Sequence, residues 1–177
     1  AEVDVTNQLA SSRNHSATHL LHEALRDILG THVEQKGSLV RPENLRFDFS
    51  HFEKIESDTV QKIENRVNER ILENIPLVEK RNLALEDAKK AGAMMLFGEK
   101  YGASVRMIGF GSSKELCGGI HVPATGSIGT FRITTETSVA SGIRRIEAVT
   151  GSGALSLAHH DRNALSQIRE CFKGAKD

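Results

Sequence analysis

Apolar residues return with a helical period after Asn14. Ala17, Leu20, Leu21, Ala24, Leu25 and Ile28 fall on one stripe, and Gly30 follows as a stop. Asn14 has an N-capping side chain, so the spacing predicts a helix from there to Leu29. Residues 1–13 are polar and read as a frayed lead-in. His32 to Val40 reads as extended chain interrupted at Lys36-Gly37, and Arg41-Pro42-Glu43-Asn44 as a turn. Leu45, Phe47 and Phe49 then alternate with Arg46, Asp48 and Ser50, the pattern of a half-buried strand. Val60, Ile63, Val67 and Ile71 mark the inner stripe of a second helix over 58–74, which Pro76 ends. A strand over 77–80, a short helix over 86–91 and a buried strand over 105–110 follow. Glycines at 111, 118, 119, 126 and 129 make the next segment loop-rich. Strands are predicted over 128–134 and 143–149, and a closing helix to Phe172 from Asp161, or from as early as Ala154.

Strands and helices do not alternate regularly, which favours an α+β fold with a mainly antiparallel sheet packed with helices. The expected division is a lead-in over 1–13, a main domain over 14–151 and a C-terminal helical appendage over 152–177, with no repeat or flexible linker. At 177 residues the chain can bury a core without disulfide staples. Cys117 and Cys171 cannot make a disulfide framework, and a reducing, cytoplasmic setting is expected. No apolar run approaches the roughly 18 residues of a membrane span. The 23 basic and 23 acidic residues balance, so any RNA contact must come from a local patch. The chain opens on Ala1 and not Met, and is expected to be a piece of a longer protein.

Two spacings carry chemistry. His15 and His19 stand four apart on the predicted first helix, which stacks both imidazoles on one face. At about 100° per residue His19 is rotated roughly 40° from His15 and His22 roughly −20°, with the apolar stripe about opposite. The histidines therefore face something other than the core of Leu20, Leu21 and Ala24. Cys117 and His121 are also four apart, in Cys-Gly-Gly-Ile-His, where two glycines allow a sharp bend. A histidine pair alone belongs to many helix surfaces. Two pairs that together offer imidazole and thiolate suit tetrahedral zinc. His22 reads as a supporting or solvated residue, and His32, His51, His159 and His160 as structural or exposed. There is no Ser-His-Asp pattern, no phosphate-binding Gly-Lys-Ser/Thr loop, no strand–GxGxxG–helix order and no HExxH.

The segments 13–22, 30–40, 45–51, 93–102, 116–121 and 142–151 together resemble the editing domain of alanyl-tRNA synthetases. Looser versions of the two donor pairs occur in threonyl-tRNA synthetase editing domains and in free-standing alanyl-tRNA editing proteins. The Phe-Gly-Glu-Lys-Tyr-Gly run points more to the synthetase. The resemblance implies the threonyl/alanyl editing-domain type of fold over 14–151 and zinc on His15, His19, Cys117 and His121. It implies hydrolysis of Ser-tRNA(Ala) and Gly-tRNA(Ala), errors that an alanine pocket rejects poorly. The partners it implies are the acceptor end of tRNA(Ala) and the rest of a synthetase whose ligase domain this chain lacks. It places Gln35 and Arg144 as catalytic candidates, and Thr18, Gln35, Lys36 and Arg144 as substrate-binding ones. Arg144 and Arg145 are adjacent on a strand and face opposite sides, one toward the site and one toward solvent. Lys36 and Arg46 are candidate phosphate contacts. Ile120 departs from the family, which usually has Thr there. Whether zinc would polarise the ester or only position substrate stays open, and so does a non-catalytic alternative, a zinc-stabilised RNA-binding or interaction module.

Overall fold

The computed structural model describes residues 3–95 and 101–172. Residues 96–100 of one resembling segment, and 173–177 of the expected appendage, lie outside the described residues. The first helix, α1 (Val5–Leu29), is central. It begins at Val5 and not after Asn14, because the Asp4 side chain accepts from the Asn7 backbone N–H and caps it. Residues 5–9 are exposed, so this first stretch extends a helix already nucleated by packing further along. Asn14 is instead a mid-helix residue, 1% exposed. Its amide donates to the Arg41 and Pro42 carbonyls and its oxygen accepts from Thr150, which ties the helix to strand ends.

Two antiparallel sheets flank α1. The larger has the order β1-β2-β7-β6, from β1 (Gln35–Val40), β2 (Leu45–Ser50), β6 (Phe131–Ala140) and β7 (Ile143–Thr150). The smaller has the order β3-β4-β5, from β3 (Val78–Ala84), β4 (Ser104–Phe110) and β5 (Ser113–Leu116). The expected α+β class with antiparallel pairing holds. Two further helices, α2 (Ser57–Leu72) and α3 (Leu85–Lys90), agree with expectation to within about two residues at each end. The last helix, α4 (Gly151–Cys171), starts directly after β7, earlier than either expected start.

The core joins Ala17, Leu20, Leu21, Ala24 and Leu25 of α1 to Phe47 and Phe49 of β2, Ile146 and Ala148 of β7, and Ile63, Val67 and Ile71 of α2. Each fully buried leucine or phenylalanine here contributes about 1.5–3 kcal/mol. A smaller cluster of Ala88, Val105, Met107 and Leu116 underlies the three-stranded sheet. Arg70 of α2 locks the junction. It donates to Glu23 of α1 at 3.0 Å, to the Phe110 carbonyl at 3.0 Å and to Ser112 at 3.1 Å.

Two strands differ from expectation. β5 occupies a segment read as loop, and Gly111 (φ 64) with Ser112 forms the two-residue turn that joins it to β4. β6 starts at Phe131, after a 3-10 turn over Thr125–Ile128, and runs on to Ala140 through mostly exposed residues. Backbone pairing with β7, not an apolar alternation, carries that extension. Among the described residues no helix is long and apolar enough to cross a membrane.

Candidate metal centre

Much of the polar face of α1 is buried as well as its apolar face. Ser16, Thr18, His19 and His22 are each under 5% exposed, because the smaller sheet covers what the larger one does not. Buried polar groups must be satisfied, and the contacts of these residues define a site. α1 supplies His15 and His19. The segment after β5 supplies Cys117 and His121. The ligand atoms of all four lie within 4.8 Å of one another. Cys117 Sγ is 3.3 Å from Nε2 of His15 and 3.4 Å from Nε2 of His121. The three imidazole centroids are 4.2–5.2 Å apart.

This donor set fits zinc on chemistry and on spacing. A tetrahedron with metal–sulfur bonds of ~2.3 Å and metal–nitrogen bonds of ~2.0 Å has a sulfur–nitrogen edge of about 3.5 Å, close to both separations. The remaining ring nitrogens are engaged elsewhere, which leaves Nε2 for a metal. Nδ1 of His19 lies 3.4 Å from the Glu115 carboxylate. Nδ1 of His121 lies 3.1 Å from Ser16 Oγ, which also accepts from the Val122 N–H. His15 hydrogen-bonds the Ile120 backbone.

Burial, followed by the neighbouring charge of His19, lowers the pKa of His15 to about 4 and that of His121 to about 2. Burial likewise lowers that of His19. All three imidazoles are therefore neutral near pH 7, the form a metal requires.

The Cys-Gly-Gly-Ile-His segment is held from outside by Arg106 of β4. Its guanidinium donates to the Cys117 carbonyl at 2.9 Å and the Gly119 carbonyl at 2.6 Å, while Glu79 accepts from it at 2.7 Å. The Gly119 N–H points at Cys117 Sγ at 3.4 Å. Neither glycine of this segment adopts positive φ. A Cβ on Gly119 would lie 2.1 Å from Cε1 of His15, so the imidazole occupies the space a side chain would take. Gly118 has nothing within 4 Å of a built Cβ. A cavity of about 450 Å³ opens beside this loop, lined by Arg81, Ser104, Arg106, Gly118, Gly119 and Ile120 among others.

The other sequence candidates keep partners of their own. The Thr18 hydroxyl donates to the Asn14 carbonyl one turn back, at 2.8 Å. Gln35, at the start of β1, donates to Ser38 at 3.2 Å, and Lys36, at a bulge in that strand, pairs with Glu34 at 2.8 Å. Arg144 lies on the same face of β7 as the core residues Ile146 and Ala148, and pairs with Glu136. Arg145, on the opposite face, pairs with Asp48 at 2.7 Å, so both arginines of the doublet are ion-paired. Gln35, Phe49 and Arg144 stand opposite one another across β1, β2 and β7, which puts Gln35 and Arg144 on one side of the sheet. Arg46 lies 3.7 Å from Asp48. His22 is 2% exposed and bonds Glu115 at 3.0 Å, so it is buried and not solvated. His32 and His51, read as structural or exposed, pair with each other at 2.9 Å.

Sequence reasoning missed Glu115, Ser16 and Arg106. The Gly111-Ser112 dipeptide between two strand-length segments was the available signal for a hairpin, and with it for a strand carrying Glu115.

Residues 105–147 match the family model described as the threonyl and alanyl tRNA synthetase second additional domain. That stretch runs from β4 into β7 and contains Cys117 and His121. An alanine–tRNA ligase of Parabacteroides distasonis is 54% identical over 169 residues, 96% of this chain and 19% of that protein. One of Bacteroides fragilis is 54% identical over 99% of this chain and 20% of its own length. One of Flavobacterium psychrophilum is 54% identical over 100% of this chain and 20% of its own length. The chain thus spans about a fifth of the length of these relatives. On a matching family segment, and on identity to alanine–tRNA ligases over nearly its whole length, the chain is an alanyl-tRNA synthetase-related domain.

Proposed function

We propose that this domain hydrolyses the ester of mischarged Ser-tRNA(Ala) and Gly-tRNA(Ala), with His15, His19, Cys117 and His121 holding zinc. The observation that carries the reading is the convergence of those four donors in a chain related to alanine–tRNA ligases. A second hydrolytic site is the physical answer to substrates that a small pocket cannot exclude. When bound, zinc would supply a Lewis acid or a fixed anchor for the acceptor end. The chain's own residues supply the rest. The neutral imidazoles and the Cys117 sulfur present lone pairs at one point. Arg106 fixes the loop carrying two of them, through the Cys117 and Gly119 carbonyls. Gln35 and Arg144 are the proposed catalytic groups, with Thr18 and Lys36 as further substrate contacts. In the reaction, water adds to the ester carbonyl, the bond to the ribose oxygen breaks, and serine or glycine leaves with the proton balance restored on the ribose hydroxyl. The acceptor end of tRNA(Ala), the rest of a synthetase and a cytoplasmic setting belong to the same proposal.

One observation favours a second reading. Four protein donors complete a tetrahedron without an open position, as in a zinc-stabilised RNA-binding module without catalysis. Serine released from Ser-tRNA(Ala) by the purified chain separates the two. The hydrolytic reading expects release, and expects Cys117→Ala to lose both the metal and at least 90% of the rate, a 10-fold loss that corresponds to raising the barrier by ~1.4 kcal/mol. A Cys117→Ala chain with full metal and full activity would refute the site. Binding of tRNA without release would favour the module.

A further inference from the structure

Glu115 is a carboxylate buried at 8% exposure on the short strand β5, with imidazoles on two sides. It lies 3.4 Å from Nδ1 of His19 and 3.0 Å from Nδ1 of His22. An ionised carboxylate only accepts hydrogen bonds. The His22 hydrogen bond therefore needs its proton on Nδ1, the carboxylate 3.4 Å from His19 favours the same tautomer there, and a neutral ring protonated on Nδ1 has its lone pair on Nε2. For His19, whose Nδ1 lies beside Glu115, that leaves Nε2 as the atom to offer the donor group. For His22 it is a buried atom without a hydrogen-bond partner among the described residues. His22 is thus held by Glu115 through one nitrogen, and its ring packs on Phe47 at a centroid distance of 5.2 Å. The Met94 backbone bridges to the strand beside Glu115, fixing where the carboxylate starts from.

We propose that Glu115 is the positioning residue of the donor group: it fixes the tautomer and rotation of His19, and His22 fixes the carboxylate. Carboxylate–histidine pairs behind a metal raise ligand basicity and hold the ring in place. Here one carboxylate spans a donor and a non-donor histidine, so a residue outside the metal group sets the geometry inside it. This inference rests on the metal reading above.

The test is the Zn²⁺ affinity of the 177-residue chain, measured by competition with a chromophoric chelator, for wild type, Glu115→Ala, Glu115→Gln and His22→Phe. Co²⁺ absorption and thermal melts run in parallel. Glu115→Ala is expected to lose roughly 10–100-fold in affinity. Glu115→Gln, of the same size, should fall between, because its amide oxygen serves one imidazole while its NH₂ opposes the other. His22→Phe should lose less than Glu115→Ala. The cobalt–thiolate charge-transfer band should persist in all three while the ligand-field bands change. Unaltered affinity and spectra in Glu115→Gln, whatever its melting temperature, would overturn the proposal even if Glu115→Ala fails to fold. A wild-type chain that takes up no metal would instead overturn the metal reading, and this inference with it.

Discussion

Gly119 makes the sharpest residue-scale case for a built site. The His15 ring lies where a side chain at 119 would be, and Ile120 beside it accepts from that ring. Gly119→Ala must push the ring or the loop by about an ångström, since real Cβ contacts rarely fall under ~3.4 Å. Its metal affinity is expected to drop at least 10-fold, with a melting temperature within a few degrees of wild type. Gly118→Ala, whose Cβ meets open space, should change neither. Chelator competition on the pair reads the contrast directly, and equal affinities would contradict this account of the loop. At this scale the spacing made the four donors legible, because four residues along a helix or a tight loop fix proximity locally. Glu115, Ser16 and Arg106 were not, since each meets the donors only through pairing or packing across the fold.

At the scale of elements, α1 is a helix buried on two unlike faces, and α2 secures it through Arg70. That guanidinium satisfies Glu23 and the Phe110 carbonyl while 9% of its side chain is exposed. Removing one member of such a pair leaves the other buried and uncompensated. Arg70→Met is expected to cost about 3–5 kcal/mol, read as a shift in urea midpoint with unchanged slope. A loss under ~1 kcal/mol would mean that the pair is solvated in solution. The apolar stripe of α1 and the Leu45–Phe49 alternation were legible because periodicity reports burial. The helix start was not. Asn14 has capping chemistry, but its side chain is spent on the Arg41 and Pro42 carbonyls, and Asp4 caps instead. β5 was hidden for a related reason: Ser113-Lys114-Glu115-Leu116 is polar by composition, and its second buried polar residue is there for the site.

For the whole molecule the donor cluster is a stability liability that metal relieves. Neutral imidazoles buried together have folded pKa values below the ordinary 6.5, to about 4 for His15. The unfolded chain therefore binds protons first as pH falls, and stability rises with pH wherever it binds more. The metal-free chain, kept so with chelator, should hold full stability above about pH 6.5 and lose it progressively toward pH 4. His15→Ala should flatten that slope, and melting temperatures across the range read it. A slope unchanged by the substitution would contradict the burial of His15. Metal adds to the stability of the folded state and steepens its loss in acid, because protons compete for the same nitrogens and sulfur. X-ray absorption at the zinc edge of the wild-type chain, loaded with one equivalent and dialysed, goes straight to the arrangement on which all of this rests. One sulfur at about 2.3 Å and three nitrogens at about 2.0 Å are expected; a shell without sulfur, or zinc lost on dialysis, would overturn that arrangement.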